Sequence, residues 1–320
     1  MKKVLSTLLG LCAAVVAYSQ ESPRVAATSE IAMQFSRIGH SPAIEAVGGA
    51  GITSSSNSAW ASYYNPAVVP FSSKKADLAV SYNSWKPSSS SYLNLAGSYN
   101  IGDMVGITAG ATLGMGKTMT VADEFGTASG YFRPMDYQFN VGVAYRFKDW
   151  FSIGVNARYI GQKLYTDFSQ GTFATDCYFM AKYGDFKGTV GFDNLGGRVT
   201  DMGGNKWNIP SSVTFAGGYE HTFLGVHGLE AEIRGDYYFI EDKAYVRNPW
   251  SFAFGASYSY RFVSARLGYH YGAESSLIPS FGAVGLTFRL LGIHIDAMYY
   301  LAKEGNPLKN NLSFGLGYSF

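Results

Sequence analysis

Residues 135–147, Met-Asp-Tyr-Gln-Phe-Asn-Val-Gly-Val-Ala-Tyr-Arg-Phe, decide the fold. Successive side chains of an extended chain point to opposite faces. Tyr137, Phe139, Val141, Val143, Tyr145 and Phe147 therefore share one face, and Asp136, Gln138, Asn140, Gly142, Ala144 and Arg146 share the other. The apolar face is aromatic at its ends and aliphatic in its middle. The layout returns at 251–261, where Phe252, Phe254, Ala256, Tyr258 and Tyr260 oppose Ser251, Ala253, Gly255, Ser257, Ser259 and Arg261. It returns again at the end of the chain in Leu312, Phe314, Leu316, Tyr318 and Phe320.

From Ala76 onward such runs of alternating apolar residues follow one another, separated by polar, Gly- or Pro-containing breaks and with no helical interlude. The spacing predicts fourteen strands, at 76–84, 91–100, 104–115, 135–147, 151–164, 174–184, 187–195, 210–221, 228–240, 250–261, 263–272, 280–290, 292–302 and 310–320. In a soluble sandwich the apolar faces would meet across a core. In an outer-membrane barrel they face lipid, with aromatic residues at both interfaces and polar residues turned to the lumen. Strand length, aromatic ends and an even strand count favour an all-β, 14-stranded antiparallel transmembrane β-barrel. Short breaks such as Ile101-Gly102-Asp103, Lys148-Asp149-Trp150 and Leu291-Gly292 are expected as periplasmic turns, and 116–134, 196–209 and 302–309 as outer loops.

Composition agrees. Of 320 residues only 15% are charged while 16% are aromatic and 38 are Gly, which suits an extended β protein and is too apolar for disorder. Met1-Lys2-Lys3, the apolar run Val4 to Val16 and Ala17-Tyr18-Ser19-Gln20 read as a cleaved signal peptide over residues 1–20. Leu11 before Cys12 does not fit a lipoprotein signal. Without Lys2 and Lys3 the chain carries 23 basic and 23 acidic side chains, which argues against a nucleic-acid partner, whose phosphates need clustered Lys and Arg. Beyond the leader only Cys177 remains and the five His are scattered, so no internal disulfide, metal site or cofactor is expected. No stretch after residue 20 is long and apolar enough for a membrane-crossing helix.

Residues 21–75 lack the strand period. The segment is rich in Ser and Ala, holds Gly48-Gly49-Ala50-Gly51 and Asn65-Pro66-Ala67, and offers helix-like pieces around 30–38 and 57–64. It is expected to fold into the lumen as a plug, leaving 76–320 as the barrel. Gly106, Gly110 and Gly114 share the polar side of their strand and leave room for another backbone.

Phe35-Ser36-Arg37-Ile38-Gly39, Ala43, Gly48-Gly49-Ala50-Gly51 and Tyr63-Tyr64-Asn65-Pro66-Ala67 resemble the N-terminal signature of FadL-type outer-membrane proteins, most closely the PorV/PorQ branch associated with type IX secretion. The resemblance is specific over about residues 35–67 and architectural over the rest. It implies fourteen strands with an N-terminal hatch, here carried by Gly48, Gly49, Asn65, Pro66 and Ala67. The closing Ser313-x-Gly315-x-x-Tyr318-x-Phe320 is similar to the terminal signal that barrel-assembly machinery recognises. Two functions are implied. One is a protein-binding accessory barrel with translocon, assembly or secreted-protein partners, which is the primary expectation. The other is a transporter for hydrophobic small molecules such as long-chain fatty acids, with a lateral opening in the wall. Both place the chain in the lipid of the outer membrane.

Strand parity assigns Glu230, Glu232, Arg234 and Asp236, then Arg266 and His270, then His294 and Asp296 to the lumen. They can serve as a polar path or a His270–His294 proton switch, or simply as charges paired with one another and with the plug; the second reading is preferred. Ala111-Thr112-Leu113-Gly114-Met115-Gly116-Lys117-Thr118 approaches a phosphate-binding loop, but Ala111 replaces the first Gly and no amphipathic helix follows. It is expected as a strand running into a loop. His221 and His227 have no obvious Ser partner, so no catalytic residue and no enzymatic activity are expected.

Overall fold

A computed structural model describes residues 31–122, 127–239, 249–272, 278–306 and 308–320. The expected signal peptide, Cys12 and the first ten residues of the expected plug lie outside the described residues.

Fourteen antiparallel strands close into a barrel. They are β1 Ala76–Trp85, β2 Ser90–Ile101, β3 Val105–Met115, β4 Met135–Lys148, β5 Phe151–Tyr165, β6 Phe168–Tyr183 and β7 Phe186–Gly196. The second half comprises β8 Ser212–Phe223, β9 His227–Tyr238, β10 Trp250–Tyr260, β11 Val263–Tyr271, β12 Phe281–Leu290, β13 Ile293–Leu301 and β14 Leu312–Ser319. Each pairs with its sequence neighbour, and β1 pairs with β14 from Asp77↔Ser319 to Ser84↔Leu312. Closure leaves no open edge, which a membrane demands because lipid offers no hydrogen bonds to backbone.

The outer face is apolar. Phe139, Val141, Phe254, Leu267, Leu286 and Ile295 are exposed there, while their neighbours Gln138, Asn140, Arg266, Thr287 and Asp296 are buried inside. No helix is long and apolar enough to cross a membrane among the described residues. One end of the barrel carries tight turns, made possible by left-handed residues such as Gly102, Gly184, Leu224, Gly225, Leu291 and Gly292. Gly292 shows the constraint: φ is +82° and a Cβ there would stand 2.6 Å from the Ser319 carbonyl oxygen. The other end carries the longer connections.

All fourteen expected strands are present. β6 starts at Phe168 rather than 174, pairing Phe168–Phe173 with β5 up to Tyr165. Ser169, Gln170, Gly171 and Thr172 lack alternation because this stretch lies on the loop side, where no lipid enforces it. Two small hairpins absent from the expected strand list, Met119–Ala122 with Ala128–Phe132 and Val199–Thr200 with Lys206–Trp207, sit in the outer connections. The phosphate-loop lookalike is the end of β3 followed by an irregular loop at Gly116-Lys117-Thr118.

Residues 31–75 form short pieces: 3-10 turns at Gln34–Arg37, Ser55–Ser62 and Pro66–Phe71, and one α-helical turn at Pro42–Glu45. Two were not expected from helical patterning because they are set by capping chemistry. Ser41 Oγ accepts the Ile44 amide at 3.3 Å and Asn65 Oδ1 accepts the Ala67 amide at 3.0 Å. Pro42 and Pro66 occupy the first helical position, where no amide is needed.

Candidate functional site in the barrel lumen

The N-terminal segment runs the length of the lumen, from the loop end to the tight-turn end. At the loop end Ala32 donates its amide to the Asn208 carbonyl at 2.9 Å. Met33, Phe35 and Ile38 there join one buried apolar cluster with Trp85, Tyr92, Phe281, Tyr300 and Leu308. Halfway down, Ser81 Oγ and Asn83 Nδ2 donate to the carbonyls of His40 and Gly39, both at 2.5 Å. At the far end Asp77 Oδ2 accepts Ser58 Oγ at 3.0 Å, the Ala59 amide at 3.1 Å and Lys74 Nζ at 2.9 Å. The chain then turns directly into β1.

Backbone meets backbone where glycines face each other. A Cβ on Gly268 would lie 2.1 Å from the Val47 carbonyl carbon, one on Gly255 2.5 Å from Val47 Cβ, and one on Gly48 2.6 Å from the Tyr269 carbonyl oxygen. Gly48 and Gly49 both hold left-handed φ, +73° and +84°, and their amides close the preceding helical turn on Glu45 and Ile44. On β3, Gly106 accommodates Val69 and Gly110 accommodates Ser62 and Tyr63, whereas Gly114 receives the Tyr92 ring of β2.

Asn65 is a buried junction. Besides capping Ala67, its Nδ2 donates to the Ile52 carbonyl at 3.1 Å and to Thr189 Oγ1 of β7 at 3.3 Å. Pro66 and the Ala67 amide pack on Gly154 of β5, and the Ala67 carbonyl accepts Ser152 Oγ at 2.6 Å.

The eight lumen residues singled out by parity do not form one network. Glu230 and Glu232 hold the segment through Ser54 Oγ at 3.0 Å and Thr53 Oγ1 at 2.7 Å. Arg234 pairs with Asp236 at 2.8 Å, and Asp236 also accepts Thr214 and Ser251. Arg266 donates to Thr287, Thr287 to Asp296, and Asp296 stands 3.1 Å from His294 Nδ1, whose Nε2 lies 3.5 Å from Asp77. His270 stands apart, stacked on Phe281 at 5.1 Å. It is near the loop end of β11 and His294 is at the turn end of β13, so the two histidines form no pair.

The most deeply buried ion pair was not singled out from the sequence. Arg158 Nε donates to Asp176 Oδ2 at 2.5 Å, and its Nη2 donates to the Tyr63 carbonyl at 2.8 Å. Its signal was available, since both residues have the inward parity of β5 and β6. Within the segment, Glu45 accepts the Tyr64 hydroxyl at 3.2 Å and the Tyr300 hydroxyl at 3.5 Å, and the Tyr64 oxygen accepts the His40 and Ser41 amides. Burial raises the Glu45 carboxyl to about 7 despite the nearby Arg234, and burial with the field of Arg158 lowers His40 to about 3.

β3 pairs with both neighbours without interruption from Val105 to Met115, so no wall opening lies along it. The β6–β7 ladder does break, between Thr175 and Cys177. There Asn194 has φ +52° and its amide is taken by Asp176 Oδ1 at 2.9 Å, as a bulge requires. Against this bulge the lumen keeps a cavity of about 100 Å³, lined among others by Arg37, His40, Glu45, Tyr238, His270 and Phe281. Among the described residues no group of three or more His, Cys, Asp and Glu is placed to hold a metal.

At the seam, the Phe320 amide and carbonyl pair with Ala76 at 2.9 and 2.8 Å. The Tyr318 ring lies 5.6 Å from that of Phe320, and a Cβ on inward-facing Gly315 would lie 3.2 Å from Pro42.

No protein-family model and no curated protein matches the sequence. Solved structures do resemble the fold. The Ralstonia pickettii toluene transporter TbuX aligns with 13% identity over 90% of this chain and 99% of its own, at a TM-score of 0.57. The monoaromatic hydrocarbon channel CymD aligns with 12% identity over 91% and 99%, at 0.56. The P. putida toluene transporter TodX aligns with 10% identity over 80% and 92%, at 0.52. At these identities the likeness is one of fold: the chain is a closed 14-stranded barrel of the architecture that these hydrocarbon transporters and channels share.

Proposed function

We propose that this chain is an outer-membrane conduit for small hydrophobic molecules, exported by the leader at residues 1–20, with residues 21–75 as its plug and 76–320 as its barrel. The observation that carries this reading is the apolar cluster at the loop end, where Met33, Phe35 and Ile38 of the segment meet Trp85, Phe281 and Tyr300 of the wall. These side chains are buried against one another, so an apolar solute arriving from outside would leave water there as the segment moves aside, worth about 25 cal/mol per Å² of apolar surface covered. Ile38 and Phe281 also line the cavity below. Passage then requires the plug to shift, because residues 31–75 lie along the lumen and are tied to it from Asn208 to Asp77. The transporters and channels of similar fold favour this reading over the accessory barrel with protein partners.

The test is uptake of labelled toluene into proteoliposomes carrying the full chain. Faster entry than into protein-free vesicles supports the proposal. Equal rates, or an equal acceleration for a hydrophilic sugar, overturn it, the latter in favour of a diffusion pore.

A further inference from the structure

Buried polar atoms in a folded chain nearly always have a partner, so a group of them without one around a single space points to something that fills it. Ser36 Oγ, Arg37 Nε, Asn194 Oδ1 and His270 Nε2 are buried atoms without a hydrogen-bond partner, and all four residues line the 100 Å³ cavity. Arg37 stacks its guanidinium on Tyr238 at 4.0 Å and makes no ion pair with a carboxylate among the described residues. The acidic groups of the same lining are engaged elsewhere. Asp236 is held by Arg234 and Ser251, Asp193 by the Tyr178 hydroxyl, with the one Thr214 hydroxyl proton lying between these two carboxylates, and Glu45 by Tyr64 and Tyr300.

We infer that this cavity is a binding site for a short-chain monocarboxylate of two to four carbons, its carboxylate on Arg37 and Ser36 and its alkyl end on Ile38, Ile278 and Phe281. Arg37 can only donate and a Ser hydroxyl can also donate, so these two suit an acceptor-rich head, whereas His270 gives its ring proton to the Gly48 backbone and presents Nε2 as an acceptor. Asn194 Oδ1 needs a donor, which a co-bound water supplies. The cavity has about 100 Å³, roughly three times the share of liquid volume that one water takes, so only a short alkyl chain fits in this conformation. Arg158 is committed to Asp176 and Arg234 to Asp236, which leaves Arg37 as the cation of the lining not already paired among the described residues, and Glu45 can take up a proton when an anion enters. The groups that face Glu45 are the Tyr64 and Tyr300 hydroxyls, with Arg234 as the charge acting on it.

The experiment is calorimetric titration of the full chain in detergent micelles with sodium butyrate and butan-1-ol. A single saturable butyrate site is expected, about tenfold or more tighter than for butan-1-ol because the donors meet a charged acceptor, and tighter at pH 6 than at pH 8. Arg37→Gln should weaken butyrate about tenfold, and Ser36→Ala less, with both barrels still running as folded species on unheated gels. No butyrate heat in the folded wild type, which would mean water alone fills the cavity, overturns the inference. Equal affinity for butan-1-ol, or undiminished binding in Arg37→Gln, also overturns it. Toluene flux is a separate measurement, so a failed transport assay with intact butyrate binding leaves this site standing.

Discussion

Ser152 Oγ, on the inner face of β5, donates a 2.6 Å hydrogen bond to the carbonyl oxygen of Ala67 in the lumenal segment. Two residues along the same strand, Gly154 has no side chain where the Ala67 amide lies. One wall strand thus grips the segment and makes room for it at the same residue. Several such paired positions hold residues 31–75 in place, and each can be tested by itself.

Gly268→Ala would place a methyl 2.1 Å from the Val47 carbonyl carbon. Overpacking of this kind costs about 1–3 kcal/mol, and the segment, having no ladder bonds to the wall, yields before the barrel does. Planar-bilayer recording should show raised conductance with the folded gel mobility kept. Gly235→Ala, whose new atom would come no closer than 3.4 Å to the Phe252 ring and 4.0 Å to the Ser251 carbonyl oxygen, should leave conductance at the wild-type level.

Asn65→Ala removes a helix cap and leaves the buried Ile52 carbonyl without its donor. Together these cost about 2–3 kcal/mol, read as a lower thermal transition of the detergent-solubilised protein. Asn65→Asp keeps the acceptor for the Ala67 amide but loses both donated bonds and buries a charge, so it should not rescue stability.

Arg158→Met leaves Asp176 buried without its cation, and breaking such a pair costs about 3–5 kcal/mol. Adding Asp176→Leu should recover part of that loss. Urea midpoints of the two single variants and the double variant give the coupling; purely additive losses would count against the pair as a unit.

Acid should tighten the seated segment through Glu45. Its carboxyl is held near 7 when buried, against 4.5 when exposed. A raised carboxyl favours the seated state fully below about pH 4.5, progressively less up to pH 7, and not at all above it. The window amounts to about 3 kcal/mol. Protease access to residues 31–75 should fall from pH 8 to pH 5 in the wild type, and the slope should flatten in Glu45→Gln.

The wall was legible in the sequence because lipid imposes one rule on every strand: apolar at each outward position, as in Phe139, Val141 and Val143. Where that rule lapses the reading shortened, as at Ser169–Thr172 of β6. The lumen was legible only by side. Parity placed Glu230, Arg234 and His294 inside, and Asp236 and Asp77, the partners of the last two, also sit on wall strands, but Ser54, the partner of Glu230, depends on how an irregular segment threads past it, and no period encodes that. Gly114 makes the same point, since its space is taken by Tyr92 rather than by the segment. The bulge at Asn194 has no pattern signature either, because a single extra residue changes parity without changing composition.

The segment that crosses the lumen continues without a break into β1, the strand that seals the barrel against β14. Its ties to the inner wall run from Asn208 at one mouth to Asp77 at the other. Drawing forty-five residues through a finished cylinder would strip water from each of those polar groups before any partner could replace it. Wrapping the sheet around a segment already laid along its inner face avoids that penalty. The topology thus suits an assembly in which the sheet closes around the segment, with the β1–β14 seam as the contact that completes the cylinder.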